Sequence, residues 1–255
     1  MYKFNYNLFI VVLLLMACKD IPRDNILDPH NPNSYQSSTI LIEAFVNTYN
    51  PLSYNQWALQ ALDSVKEIYG SKILIAEYHR DTDRYSDPYS KLIFEPLYDK
   101  YVENSSEKVK GMPDIFVNGT DQRVQGASGV NSVMTRVNTI LSKLTIDNTH
   151  FTLEPADVKV SGTTLEASCK IARLGNQIAN NLLLRLILIQ KVNSQELKRV
   201  VTDLKKSSAI LRLEAGEITT IKFDPIPIDE RPNQIIFSLT SSDELTIYQN
   251  IKVDL

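Results

Sequence analysis

Few side chains in this 255-residue chain have the types and spacing that chemistry needs. The densest polar cluster is EYHRDTDRYSD, from Glu77 to Asp87, in which Asp81, Asp83 and Asp87 are spaced loosely like a calcium loop and His79 adds an imidazole. A calcium loop also needs a glycine at its sharp turn and a closing glutamate. Both are missing, and imidazole suits a softer cation. The stretch therefore reads as a solvated loop, and a metal-assisted site around His79, Asp81 and Asp83 is kept as the alternative. The other histidines, His30 and His150, have no ligand spacing, so no metal, cofactor or catalytic residue is expected. The only cysteines are Cys18 and Cys169. Cys169 occupies an apolar position in an alternating run, where a thiol packs inertly. Asn50 and Ser53 bracket Pro51-Leu52 at the start of an amphipathic run, but an amide and a hydroxyl with no base beside it make no nucleophile. The patterns G-x-S-x-G, G-x-x-x-x-G-K and G-x-G-x-x-G are absent, so the usual hydrolase and nucleotide signals are silent.

The elements that would position these residues start after a leader. Lys3 precedes an apolar core from Leu8 to Ala17, shorter than the roughly 20 residues a bilayer span takes and suited to a secretory signal over residues 1–17. The core ends in Leu15-Met16-Ala17-Cys18, which resembles the lipobox of bacterial lipoproteins and implies acylation of Cys18. Acyl chains hold a protein to lipid by burying methylenes at about 0.8 kcal/mol each. Residues 18–39 are rich in proline, asparagine and aspartate and read as a flexible tether. With Cys18 acylated, no intramolecular disulfide is expected. A formal net charge of −3, with no long run of Lys and Arg, argues against a nucleic-acid partner.

Ile40 to Val46 is a continuous apolar run of strand length, followed by Asn50-Pro51, a favoured cap and first helical position. Ala58, Ala61, Leu62, Val65 and Ile68 recur at helical spacing, with Trp57 as a packing residue, and Gly70 stops the helix. Lys72 to Tyr78 is a second buried strand. Asp87-Pro88 repeats the cap signal before a helix containing Leu92, Leu97, Tyr98 and Tyr101, which Pro96 should kink. Two short strands flank Asn118-Gly119, a strong hairpin signal, and Val130 to Leu144 is amphipathic. From about Phe151 the hydrophobic period changes to two and stays so, which predicts an all-β second domain, a sandwich of the immunoglobulin or fibronectin type.

The order β-α-β-α-β-β-α over residues 40–148 resembles the thioredoxin-like fold. LIEAFVNTYNPLSYNQWALQAL resembles its strand, active-site turn and first helix, KILIAEYH its central strand, and KGMPDIFVNG the turn that carries the family's cis-proline, here Pro113. Together with the lipobox and a sandwich over residues 149–255, the chain is similar to outer-membrane lipoproteins of Gram-negative bacteria. The resemblance places the family's two cysteines at Asn50 and Ser53 and its buried acid at Ala44, so thiol–disulfide exchange is expected to be absent. It implies a lipid-anchored protein of the cell envelope that binds a protein or peptide, or acts as a scaffold. The groove would be lined by Tyr49, Asn50, Pro51, Met112 and Pro113, where an extended peptide pairs with the backbone. In a further alternative this half is a spacer and the β-rich half binds the partner.

Overall fold

The structure, a computed structural model, describes residues 23–144, 148–192 and 197–255, so Cys18 and the expected signal segment lie outside it. In chain order its first elements are β1 (Gln36–Ser37), β2 (Ile40–Val46), α1 (Tyr54–Tyr69), β3 (Ile73–His79), α2 (Glu95–Asn104), β4 (Asp114–Val117), β5 (Gln122–Gln125) and α3 (Val130–Leu144). Strands follow: β6 (Asn148–Thr149), β7 (Phe151–Ser161), β8 (Thr164–Arg173), β9 (Ala179–Val192), β10 (Leu197–Lys206) and β11 (Ile210–Leu213). The last are β12 (Ile218–Lys222), β13 (Ile226–Pro227), β14 (Gln234–Ser241) and β15 (Ile247–Asp254). The class is mixed α/β with strands in the majority and open sheets.

Strands β2 and β3 are buried along their whole length and pair in parallel from Ile40↔Ile73 to Val46↔His79. Covering on both faces is what an uninterrupted apolar strand requires. On one face Ile40, Ile42, Ala44 and Val46 meet Ala58, Ala61, Leu62 and Val65 of α1 and Val133, Val137 and Leu141 of α3. On the other, Leu41, Phe45 and Tyr78 meet Leu97, Tyr98 and Tyr101 of α2. The two helical starts differ from expectation. Helix α1 begins at Tyr54 with Ser53 as its cap, because the Asn50 side chain accepts the Leu52 N–H and holds Pro51-Leu52 in a turn. Asp87 accepts the Tyr89 N–H in a tight turn and opens no helix. Pro96 lies in the first turn of α2 and kinks nothing, since an N–H there has no partner to lose.

The β-rich half does not stand apart from this layer. One sheet runs in the order β15-β14-β9-β10-β3-β2-β4-β5, with β10 parallel to β3 at Val200↔Glu77 and antiparallel to β9. Helix α2 therefore covers side chains from both halves: Ile187, Ile189, Val201 and Ile236 share its cluster with Leu41 and Phe45. The change of period near residue 149 marks a change of pattern, while the backbone hydrogen bonding crosses it. A second core forms where Leu153, Leu165, Cys169 and Ile171 of a four-stranded sheet meet Leu184, Leu186, Phe237 and Leu239 of the large one.

The β4–β5 connection is longer than a two-residue hairpin loop, since Val117 pairs with Gln122 across residues 118–121. Asn118 and Gly119 both have positive φ, 55° and 101°. The turn docks on the far end of the same sheet, with Gly119 bridged to Thr246. The stretch expected to be a tether is also docked over its described part. Strand β1 pairs with β6, Gln36 donates to the Phe151 carbonyl at 2.7 Å, and Ser34 accepts the Gly175 N–H at 2.8 Å. These are polar contacts to backbone, made by residue types whose composition alone suggests a free chain. Among the described residues no helix is long and apolar enough to cross a membrane.

Candidate functional site

At the carboxyl end of β2 the chain turns at Asn47, which is fully buried and organises the loop. Its Oδ1 accepts the N–H groups of Tyr49 and Asn50 at 3.0 and 2.9 Å. Its Nδ2 donates to the carbonyls of Arg80 and Tyr85, both at 2.8 Å. The Asn47 N–H is taken by Asn55 Oδ1 at 3.2 Å. One amide thus ties the turn after β2 to the loop after β3 and leaves none of its own bonding capacity idle. The backbone N–H groups of Asn50 and Leu52 are both taken within the turn. The outer side of this turn is apolar: Tyr49, Leu52 and Tyr54 are 43%, 51% and 42% exposed, and Tyr54 meets Trp57 edge-on at 5.8 Å.

Strand β4 brings the second expected wall. It pairs antiparallel with β2 as far as Phe45↔Asp114, so Met112 and Pro113, which lead into β4, lie at the end of the sheet where β2 finishes. The Met112–Pro113 bond is cis. Tyr98 anchors this turn to α2: its hydroxyl accepts the Gly111 N–H at 2.9 Å and lies 2.9 Å from Asp114 Oδ2. Burial and the Asp114 carboxylate push the phenol up. Burial likewise pushes Asp114 up, against the opposing pull of the Arg123 guanidinium, whose Nε donates to Oδ1 at 2.7 Å. Tyr49, Asn50, Pro51, Met112 and Pro113 are therefore gathered at one end of the sheet.

The polar cluster after β3 has a structural job. His79 is fully buried and its Nδ1 lies 2.9 Å from Asp87 Oδ2. That oxygen also accepts the N–H and hydroxyl of Thr48, at 2.9 and 3.1 Å. Burial would raise the Asp87 pKa, but the bond and charge of His79, with the Thr48 and Tyr89 amides, hold it below the usual range. His79 Nε2 is buried without a partner among the described residues. Asp81 spends Oδ1 on the Asp87 N–H at 2.7 Å and on Ser86 at 3.1 Å, while Asp83 is exposed. His79, Asp81 and Asp83 do not converge, and among the described residues no group of His, Cys, Asp and Glu is placed to hold a metal. Ala44 is buried against α1 and α3, so no carboxylate stands at the position the resemblance gives to the acid. Cys169 is buried in the second core, and burial pushes its thiol up to about 12.

The residues whose role the sequence reading missed are Asn47, Asn55 and Asp87, the last of which reads in sequence as a loop carboxylate and a helix cap. A hydrophilic residue directly after a buried strand is the one signal for Asn47. The other two are recognisable only once the loops meet.

No protein-family model matches the chain, and no curated protein matches it. Solved structures do. Protein AGR_C_4864 from Agrobacterium tumefaciens superposes with a TM-score of 0.56 at 13% identity, over 86% of this chain and 95% of that one. HBP35 of Porphyromonas gingivalis superposes with a TM-score of 0.64 at 10% identity, over 86% of this chain and 76% of that one. At such identities the likeness is one of fold.

Proposed function

We propose that this chain is a lipid-anchored protein of the bacterial cell envelope in which a thioredoxin-like half binds an extended protein segment and carries out no thiol chemistry. The order β2-α1-β3-α2-β4-β5-α3, with sheet neighbours β3-β2-β4-β5, supports the thioredoxin-like reading. The four-stranded sheet facing β9 and β14 supports a sandwich for the remainder. The observation that carries the function is the Asn47–Ser53 turn. It stands where exchange chemistry would need two thiols, it has none, and its backbone is held rigid by Asn47. A rigid turn that displays Tyr49, Leu52 and Tyr54 offers contact area at small entropic cost.

A photo-crosslinking residue at Leu52, in cells expressing the full chain, tests this reading against the same residue at Leu211, which is exposed on the β-rich half. A defined protein adduct at position 52 alone supports it. Adducts at position 211 alone would move the binding role to the other half. Insulin reduction that survives Cys169→Ala would overturn the redox assignment, and a Cys18→Ser protein that stays membrane-bound and lipid-free would overturn the anchor.

A further inference from the structure

Away from that turn, a cleft of ≈ 480 Å³ opens where the segment before β2, the β4–β5 turn and the starts of β7, β9 and β15 meet. Arg173 lines it and is only 7% exposed. A cation so far from water needs an opposite charge or a full set of acceptors. Arg80 and Arg185, the other arginines buried to this degree among the described residues, each hold a carboxylate, Glu95 and Glu43. Arg173 does not. Its Nε donates to the Gln177 carbonyl at 2.8 Å and one Nη to the His150 carbonyl at 3.0 Å. The guanidinium carbon lies 4.7 Å from the centroid of the Phe151 ring. Among the described residues, the titratable group acting on it is Tyr248, and no carboxylate does.

The rest of the lining fits an anion. It contains the amides of Asn118, Asn148 and Asn180, the imidazole of His150 and the phenol of Tyr248, and among the described residues no Asp or Glu. Part of the wall is apolar: Phe151 and Tyr248 lie ring to ring at 5.3 Å, and Ile178 and Ile247 complete it. The volume is within the range of small-molecule sites, roughly 300–1,000 Å³.

We propose that this cleft binds a small organic acid, with its carboxylate on Arg173 and its apolar body against Phe151, Tyr248 and Ile178. A guanidinium has five N–H donors in a planar fork that matches a carboxylate. Two are occupied by the Gln177 and His150 carbonyls, which fix the plane of the fork, and the remaining donors are left for a ligand. The proposal does not depend on the peptide-binding role of the Asn47–Ser53 turn, which lies at another part of the sheet.

The test is calorimetric titration of the full chain with benzoate and hexanoate, against benzamide as the neutral analogue. Saturable binding of at least one acid, about tenfold or more tighter than benzamide, is expected from a charge-assisted contact. Arg173→Gln should abolish that preference. Because Arg173 also braces two carbonyls, Asn180→Asp is the second variant: Asn180 is exposed, and a carboxylate placed there should weaken acid binding about fivefold or more while sparing benzamide. Failure of both acids to bind, or acid binding unchanged in Asn180→Asp, would overturn the assignment.

Discussion

Arg185 of β9 and Glu43 of β2 lie 3.3 Å apart with neither side chain exposed, although 142 positions separate them in the chain. Tyr78 and Tyr101 donate to the two oxygens of Glu43, at 3.0 and 2.7 Å. Arg185 in turn reaches Tyr101 at 3.1 Å and Ser238 at 3.4 Å. A pair of this kind gains little over well-packed apolar side chains, but it is costly to break from one side. Its consequence is specificity: only the pairing of β10 with β3 that the sheet adopts brings the two charges together.

Glu43→Gln or Arg185→Met should each destabilise the protein by about 3–5 kcal/mol, since each strands a buried charge. The double variant should cost less than the sum of the two. Because the pair spans both halves, Trp57 fluorescence and the far-ultraviolet dichroism of the strands should report one shared denaturant transition. Separate transitions would mean that the halves fold independently.

Asn47→Ala removes four hydrogen bonds made by one buried amide. The Arg80 and Tyr85 carbonyls and two loop N–H groups would need water in its place. A loss of about 2–4 kcal/mol is expected, at about 1–3 kcal/mol per stranded buried group and with the outer groups partly rehydrated. Amide exchange at Tyr49 and Asn50 should accelerate more than at the centre of β2. An unchanged exchange rate there would show that Asn47 does not hold the turn.

Much of this frame was legible from the sequence, and the misses share a cause. Strands β2 and β3 and the inner face of α1 could be read because burial on both faces, or on one stripe, leaves a local hydrophobic pattern. The partnership of β10 with β3 left none, since a parallel neighbour more than a hundred residues away does not alter the alternation of either strand. The docking of residues 23–39 was missed because its contacts are side-chain amides and hydroxyls on backbone groups, which composition counts as polarity. The loop cluster misled for a similar reason. Asp81 and His79 look like ligands in sequence, and in three dimensions their atoms go to an N–H group and a carboxylate. Arg173 left no trace at all, because a missing counter-ion can be seen only when its neighbours are known.

Asp87 should make stability depend on acid. In an unfolded chain its carboxyl titrates near pH ~4, and in the folded protein it is held lower, the His79 bond and charge outweighing the effect of burial. The folded state therefore binds fewer protons, and the contribution of Asp87 is complete above the unfolded value and fades as the pH falls through the folded one. Wild type should exceed Asp87→Asn in stability at neutral pH, and the gap should close in strong acid. Urea denaturation across that range checks it, and a gap of constant size would assign the stabilisation to something other than the charge.

Gly119 is the position where the β4–β5 turn admits no side chain. Its φ is +101°, and a Cβ there would lie 2.1 Å from the Leu245 carbonyl oxygen, which is backbone and cannot swing aside. The close approach exists because Gly119 is bridged to Thr246 and Thr120 donates to that same Leu245 carbonyl at 3.0 Å. Gly162, between β7 and β8, also has positive φ, 57°, but no atom within 4 Å of its ideal Cβ. Gly162→Ala should therefore cost only the left-handed backbone penalty, about 1–2 kcal/mol. Gly119→Ala should cost that and more, of order 3 kcal/mol or above, because the turn must lift off the β14–β15 end to relieve the clash. Denaturant midpoints of the two variants, measured side by side, separate steric approach from backbone conformation. If Gly119→Ala were no worse than Gly162→Ala, the turn would not be seated on β15, and the two ends of the large sheet would not be held together there.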